Sequence, residues 1–130
     1  MIQEKLHEVA AEIEKSRQRR IYAAKEEPVQ LVAVTKNHDV RAMREAIDAG
    51  VAVVGENRIQ EAREKYETLE RTVKWHLIGH LQTNKAKYAV RMFDLIHSVD
   101  SENLAAALNK EAVKQDKVQD VLVQVNLAKE

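Results

Sequence analysis

Cysteine is absent from the 130-residue chain. That absence removes disulfides, thiolate metal sites and cysteine nucleophiles together, and it fits a reducing compartment. Neither sign of charge is in excess, because 21 Lys and Arg stand against 21 Asp and Glu. Without a basic surplus nothing draws phosphate backbones, and nucleic acid is not an expected partner. The same balance gives little electrostatic protection against self-association. No segment approaches the roughly 20 apolar residues needed to cross a bilayer, so no membrane partner is expected. The opening stretch, MIQEKLHEVAAEIEKSRQRR, carries charges throughout and forms no secretory signal. The expected location is the cytoplasm. Gly50, Gly55 and Gly79 are isolated, so neither a GxGxxG turn nor a Walker loop is present to cradle a phosphate. No serine lies in a nucleophile elbow.

What is present is a chain 45% hydrophobic and 32% charged, long enough for one folded domain. Ile2, Leu6, Val9 and Ile13 recur at helical spacing and predict an amphipathic helix from residue 2 to about 20, within an N-terminal helical segment 1–24. The only proline, Pro28, lies in a linker before LVAVT (31–35), an apolar β-branched run suited to a strand buried on both faces. Asp39 can cap a helix carrying Val40, Met43 and Ile47, and Gly50 sits where such a helix ends. VAVV (51–54) is the second expected strand, followed by a helix over 57–70. VKWHLI (73–78), DLIHSV (94–99) and VLVQVN (121–126) are the third, fourth and fifth strands. A helix over about 82–92 and another opened by Asp100 or Ser101 separate them.

Strands alternating with single helices require a parallel sheet with right-handed crossovers. Two α/β architectures satisfy that. A doubly wound open sheet of five strands is complete at this length, whereas a (β/α)₈ barrel of roughly 250 residues is about half finished. The stop at NLAKE, directly after a strand, slightly favours the truncated barrel. The expected organisation is therefore a single partial barrel domain over 1–130, with βα units from 31 onward.

In either architecture ligands collect at the carboxyl ends of the strands. Lys36 stands directly behind LVAVT. With its stem in apolar surroundings and its amine at the mouth of the sheet, desolvation would favour the free amine, which attacks aldehydes. The alternative is a lysine that snorkels to solvent. Asn57, after Gly55-Glu56, can bond a ligand oxygen or cap the next helix, and Glu56 can serve as an acid/base group or as dipole compensation. His76 lies beside Trp75, and one of the two must face inward because strand neighbours point opposite ways. It can meet a cofactor ring or be a core histidine satisfied by backbone groups. His38, His76, His80 and His97 match no metal-ligand spacing, so no metal is expected. Lys85, Lys87 and Arg91 read as the solvated face of a helix.

The stretches LVAVTK (31–36), GENRIQEA (55–62), WHLIGHLQTNK (75–85), HSVDS (97–101) and VQVNLAKE (123–130) together resemble the pyridoxal phosphate homeostasis proteins. Their fold is similar to the barrel domain of alanine racemase. The resemblance covers about a hundred positions in register, and several motifs in the right order are far more specific than any one. It implies a parallel (β/α)₈ TIM-type barrel of the alanine racemase N-terminal type, here about its first half behind an N-terminal helix. It implies pyridoxal 5'-phosphate as cofactor, held as a Schiff base on Lys36, with Asn57 and His76 lining the pocket. It implies a role in buffering and delivering the cofactor, with no established catalytic activity. Gln82, Asn84 and Lys85 match a family motif and are expected at the pocket rim or a helix start. The family's phosphate anchor and the arginine facing the pyridine nitrogen come late in the chain, beyond Glu130, so the chain is expected to stop before the phosphate-binding half.

Two other classes compete. An alanine racemase-like enzyme needs a second acid/base, usually a tyrosine, and Tyr22, Tyr66 and Tyr88 all fall on or near helices. A half-barrel assembly module would bind no cofactor. Half a barrel leaves its first and fifth strands with unpaired edges. A homo-oligomer through those edges, an open-sheet rearrangement and a complementary part elsewhere are all expected outcomes, and the sequence does not choose among them.

Overall fold

A computed structural model describes residues 1–21 and 27–128. The far end of the expected N-terminal segment, including Tyr22, lies outside the described residues, as do the last two. Helix α1 (Ile2–Gln18) precedes strand β1 (Ala33–Val34). Then come α2 (Val40–Asp48), β2 (Val53–Glu56), α3 (Ile59–Leu69), β3 (Lys74–Leu77), α4 (Ala86–Met92), β4 (Leu95–Val99), α5 (Glu102–Lys114) and β5 (Asp120–Val123).

The strands form one parallel sheet in the order β1-β2-β3-β4-β5. This order decides between the two architectures. A doubly wound sheet reverses direction around its first strand and carries helices on both faces. Here each strand lies beside its predecessor, and α1 packs on α2, α2 on α3, α3 on α4 and α4 on α5. Helices in unbroken succession along one face make the sheet an arc of a βα barrel.

The two faces of the sheet differ accordingly. The register rows Ala33–Val54–Trp75 and Glu56–Leu77–Ile96 point toward the helices. Val54, Trp75, Leu77 and Ile96 are fully buried there against Met43, Ala62, Leu69, Val90, Phe93 and Leu104. Burial of each such Leu or Phe contributes about 2 kcal/mol. Trp75 is fixed further: its indole N–H donates to the Glu70 carbonyl at 2.7 Å and its ring meets Tyr66 edge-on at 5.5 Å. The opposite row is Val34–Gly55–His76–Leu95. It faces the concave side, where Val34 is exposed and His76 and Leu95 are half-buried.

Several boundaries differ from the sequence reading for local reasons. Strand β2 begins at Val53 rather than 51. Gly50 adopts φ +115°, and the amides of Gly50 and Val51 bond back to the Ile47 and Ala46 carbonyls at 3.0 Å, so residue 51 belongs to the end of α2. Strand β1 is two residues instead of five, paired on one side only among the described residues, and extended by one bond from the Thr35 amide to the Gly55 carbonyl at 3.0 Å. Strand β5 ends at Val123 instead of 126. The helix expected from 82 is a 3₁₀ turn, Thr83–Lys85, leading into α4. Of the expected caps, Asp39 accepts from the Ala42 amide at 2.9 Å. Ser101, not Asp100, caps α5, accepting from the Leu104 amide at 3.1 Å.

Candidate functional site

Lys36 follows Thr35, the last residue of the first strand to bond to β2. It therefore sits at the carboxyl edge, two residues beyond Val34 of the concave row. The side chain is exposed. The sequence reading placed its stem in apolar surroundings. The structure corrects this, because Lys36 lies in the turn past the strand and above the uncovered concave face. Asn37 next to it takes φ +64°, the left-handed conformation that turns the chain toward α2.

Beneath this turn lies a buried polar network that the sequence reading missed. Glu56 points to the helix side of β2 and is fully buried, and its carboxylate meets Lys65 of α3 at 3.0 and 3.1 Å. The ammonium of Lys65 also donates to the Thr35 carbonyl and to Glu61 Oε1, both at 2.8 Å. The Thr35 hydroxyl donates to Glu56, and the Asn37 amide donates to Glu61 at 2.6 Å. The hydrogen bond from Lys65 is the main reason the Glu61 carboxyl lies below the usual carboxylate range; burial opposes it, and the Asn37 amide adds a smaller lowering effect. Expected as an acid/base group or as dipole compensation, Glu56 is instead buried, with its carboxyl engaged by Lys65 and Thr35.

Asn57 is half-buried at the carboxyl end of β2, two residues beyond Gly55 of the concave row. It does not cap the next helix. The N-cap position of α3 belongs to Arg58, which makes no capping side-chain bond. The loop after β3 is pressed against it: a Cβ on Gly79 would lie 2.4 Å from the Asn57 carbonyl oxygen and 2.8 Å from its Cα. Only glycine permits that approach, so Gly79 joins the ends of β2 and β3.

His76 resolves the Trp75–His76 alternative. Trp75 is buried under the helices and His76 faces the concave side. Its Nδ1 lies 3.0 Å from Nε2 of His97 on the neighbouring strand, with ring centroids 5.0 Å apart. A hydrogen bond between two imidazoles needs a donor and an acceptor, so His76 is not a lone core histidine satisfied by backbone. Burial first, then the proximity of His97, depress its pKa below the ordinary 6.5, partly opposed by Asp94. His97 shares the site through this bond. The sequence reading placed it at a strand end without pairing the two, because pairing depends on strand register.

Other strand-end candidates stand apart from this cluster. His80 is exposed, with Nδ1 3.9 Å from Asp100. Gln82 and Asn84 are exposed around the 3₁₀ turn, at a helix start. Lys85 is half-buried and, with Lys87 and Arg63, surrounds the Tyr88 ring at 5.9, 5.1 and 4.0 Å. Lys87 and Arg91 are solvated, as expected.

Consecutive parallel βα units, with an amine, an amide and an imidazole at or near one carboxyl edge, define a barrel-type α/β protein, a fold whose sites gather at that edge. The chain belongs to the alanine racemase, N-terminal domain family, whose model matches residues 9–128. It is 46% identical over 101 residues to the pyridoxal phosphate homeostasis protein of Aquifex aeolicus, covering 77% of this chain and 44% of that protein. With the protein of the same name from Vibrio cholerae it shares 34% over 134 residues, 99% of this chain and 56% of that one. The structure of PipY of Synechococcus elongatus with PLP bound aligns at TM-score 0.82 and 40% identity, over 98% of this chain and 55% of that chain. A protein from Bifidobacterium adolescentis of unknown role aligns at TM-score 0.83 and 35% identity. The chain spans about half the length of the relatives it matches.

Proposed function

We propose that this chain binds pyridoxal 5'-phosphate through a Schiff base on Lys36, with Asn57 and His76 lining the cofactor pocket, and that it serves cofactor homeostasis. The observation that carries this reading is the likeness to PipY with PLP bound over nearly the whole chain. The residues present fit the group. Lys36 offers an accessible primary amine, Asn57 a half-buried amide and His76 a half-buried imidazole on the concave side. When bound, the cofactor supplies an aldehyde on a heteroaromatic ring. Lys36 would hold that aldehyde through its amine, a nucleophile suited to condensing with a carbonyl group. His76, whose pKa burial and then His97 lower, would offer the ligand an imidazole that favours the neutral form.

The reading is of a cytoplasmic binding protein rather than an enzyme. A racemase needs a second acid/base opposite the amine. Tyr66 packs on Trp75 beneath the helices and Tyr88 lies under Arg63, so neither described tyrosine is at the carboxyl edge. An assembly role is a second reading, favoured by the exposed apolar side chains of Leu122, Val123 and Val125 along and just beyond β5. Association of copies through that edge belongs to it, and residues 1–130 then act as one partial barrel domain.

Visible absorption of the purified chain titrated with pyridoxal phosphate, beside Lys36→Ala, tests the proposal. A Schiff-base band present in the parent and lost in the variant is expected. No band, or the same band in both, overturns the assignment of Lys36. Light scattering on the same samples separates the assembly reading, which expects a defined oligomer and no spectral change.

A further inference from the structure

We infer that Lys65, Glu61 and Glu56 are positioning residues that clamp both peptide bonds flanking Lys36 and so fix where its amine is presented. The inference rests on the reading that Lys36 carries the cofactor. The carbonyl of Thr35 belongs to the peptide entering Lys36, and it accepts from Lys65 at 2.8 Å. The amide of Asn37 belongs to the peptide leaving Lys36, and it donates to Glu61 at 2.6 Å. Lys65 bridges the two clamps by holding Glu61 at 2.8 Å, and Glu56 anchors Lys65 to β2 at 3.0 Å. The three ammonium donors are thereby used on Thr35, Glu56 and Glu61.

Stability alone does not account for this arrangement. Burying an ammonium and a carboxylate costs desolvation that their attraction barely repays, and well-packed apolar residues commonly do as well. What the apolar alternative lacks is a directional hold on specific backbone groups. The network holds two of them, one on each side of Lys36. With both peptide planes held, the φ and ψ of Lys36 are fixed, and a long flexible side chain starts from a single direction at the carboxyl edge. Pre-orientation of a reacting group in this way lowers the entropic cost of its reaction.

The test uses the full 130-residue chain and four variants: Glu61→Ala, Glu61→Gln, Lys36→Ala, and the double change Glu56→Gln with Lys65→Met. The double change removes both buried charges together and leaves only Glu61, which is partly exposed to solvent, without its cation. Amide exchange at Asn37 is read alongside borohydride trapping of pyridoxal phosphate, mapped by peptide mass spectrometry. Adducts on the exposed Lys5 and Lys110 serve as internal references. In Glu61→Ala, exchange at Asn37 is expected to rise by roughly tenfold or more, the loss of a charge-assisted bond. The Lys36 adduct should fall several-fold relative to the references, and Glu61→Gln, which keeps an acceptor oxygen, should restore both. The double variant should behave as Glu61→Ala does. Unchanged exchange in Glu61→Ala and the double variant overturns the clamp. Faster exchange with an undiminished Lys36 adduct overturns its positioning role. If the parent shows no preference for Lys36 over the references, or the same peptide signal persists in Lys36→Ala, the cofactor reading fails. The exchange result alone then decides the clamp.

Discussion

Replacing Gly79 with alanine would put a methyl group 2.4 Å from the Asn57 carbonyl oxygen, 2.8 Å from its Cα and 3.0 Å from its carbonyl carbon. An ordinary carbon–oxygen contact is about 3.3 Å, so the loop after β3 must retreat by about 1 Å. The obstructing atoms are backbone, which cannot rotate aside as a side chain does. Overpacking of this kind costs about 1–3 kcal/mol, and a backbone clash belongs at the upper end, about 3 kcal/mol. For a chain of this size that lowers the thermal midpoint by about 12 °C, at roughly 4 °C per kcal/mol. Gly55→Ala is the matched control. Its Cβ would meet the Val32 Cγ1 at 3.0 Å and the Ile78 Cδ1 at 3.2 Å, both methyl groups of side chains. Those can shift, and alanine also restricts the unfolded chain, so the net cost is about 1 kcal/mol or less. Circular-dichroism melts of the two variants against the parent make the comparison. A Gly79→Ala midpoint equal to or above that of Gly55→Ala would refute the reasoning that the Asn57–Gly79 contact is a rigid backbone junction.

Two further expectations concern pH and capping. The folded chain binds a proton at His76 more weakly than the ordinary value of 6.5, so between the folded value and 6.5 the unfolded chain holds more protons. The stability from a neutral His76 is therefore complete above about pH 6.5 and is lost as the pH falls through the folded pKa; urea midpoints should drop from about pH 7.5 to about pH 5 more steeply than in His76→Gln. A slope unchanged by the substitution would count against burial of His76. Ser101→Ala removes the cap on the Leu104 amide and should cost about 1 kcal/mol, read as a fall of a few degrees in the melt. No fall would mean that solvent replaces the hydroxyl at that helix start.

Much of the framework is written in local pattern. The order of helices and strands follows from apolar spacing, because a period of 3.6 or 2 is a property of neighbouring residues. The caps at Asp39 and Ser101 and the left-handed Gly50 are local for the same reason. The boundaries that moved did so where a local rule met a competing bond. Val51 reads as strand but bonds back to Ala46, and Asn57 reads as a cap but is held against Gly79.

The candidate site divides along the same line. Lys36, Asn57 and His76 stand among the strand-end candidates because strand ends are visible in sequence, and the family resemblance is what singles them out. Glu61 and Lys65 are four apart on a helix and look like an ordinary surface pair. Their burial, and their hold on Thr35 and Asn37, appear only when α3 is laid over the ends of β1 and β2. The pairing of His76 with His97 likewise needs the register of β3 against β4. The sequence by itself determined the elements, the balance of charge and the lysine behind the first strand. The strand order is visible only in the tertiary structure, and it bears out the barrel arc that the resemblance implied and periodicity left open. Periodicity says what each segment is, whereas which strand lies beside which depends on contacts between residues far apart in the chain.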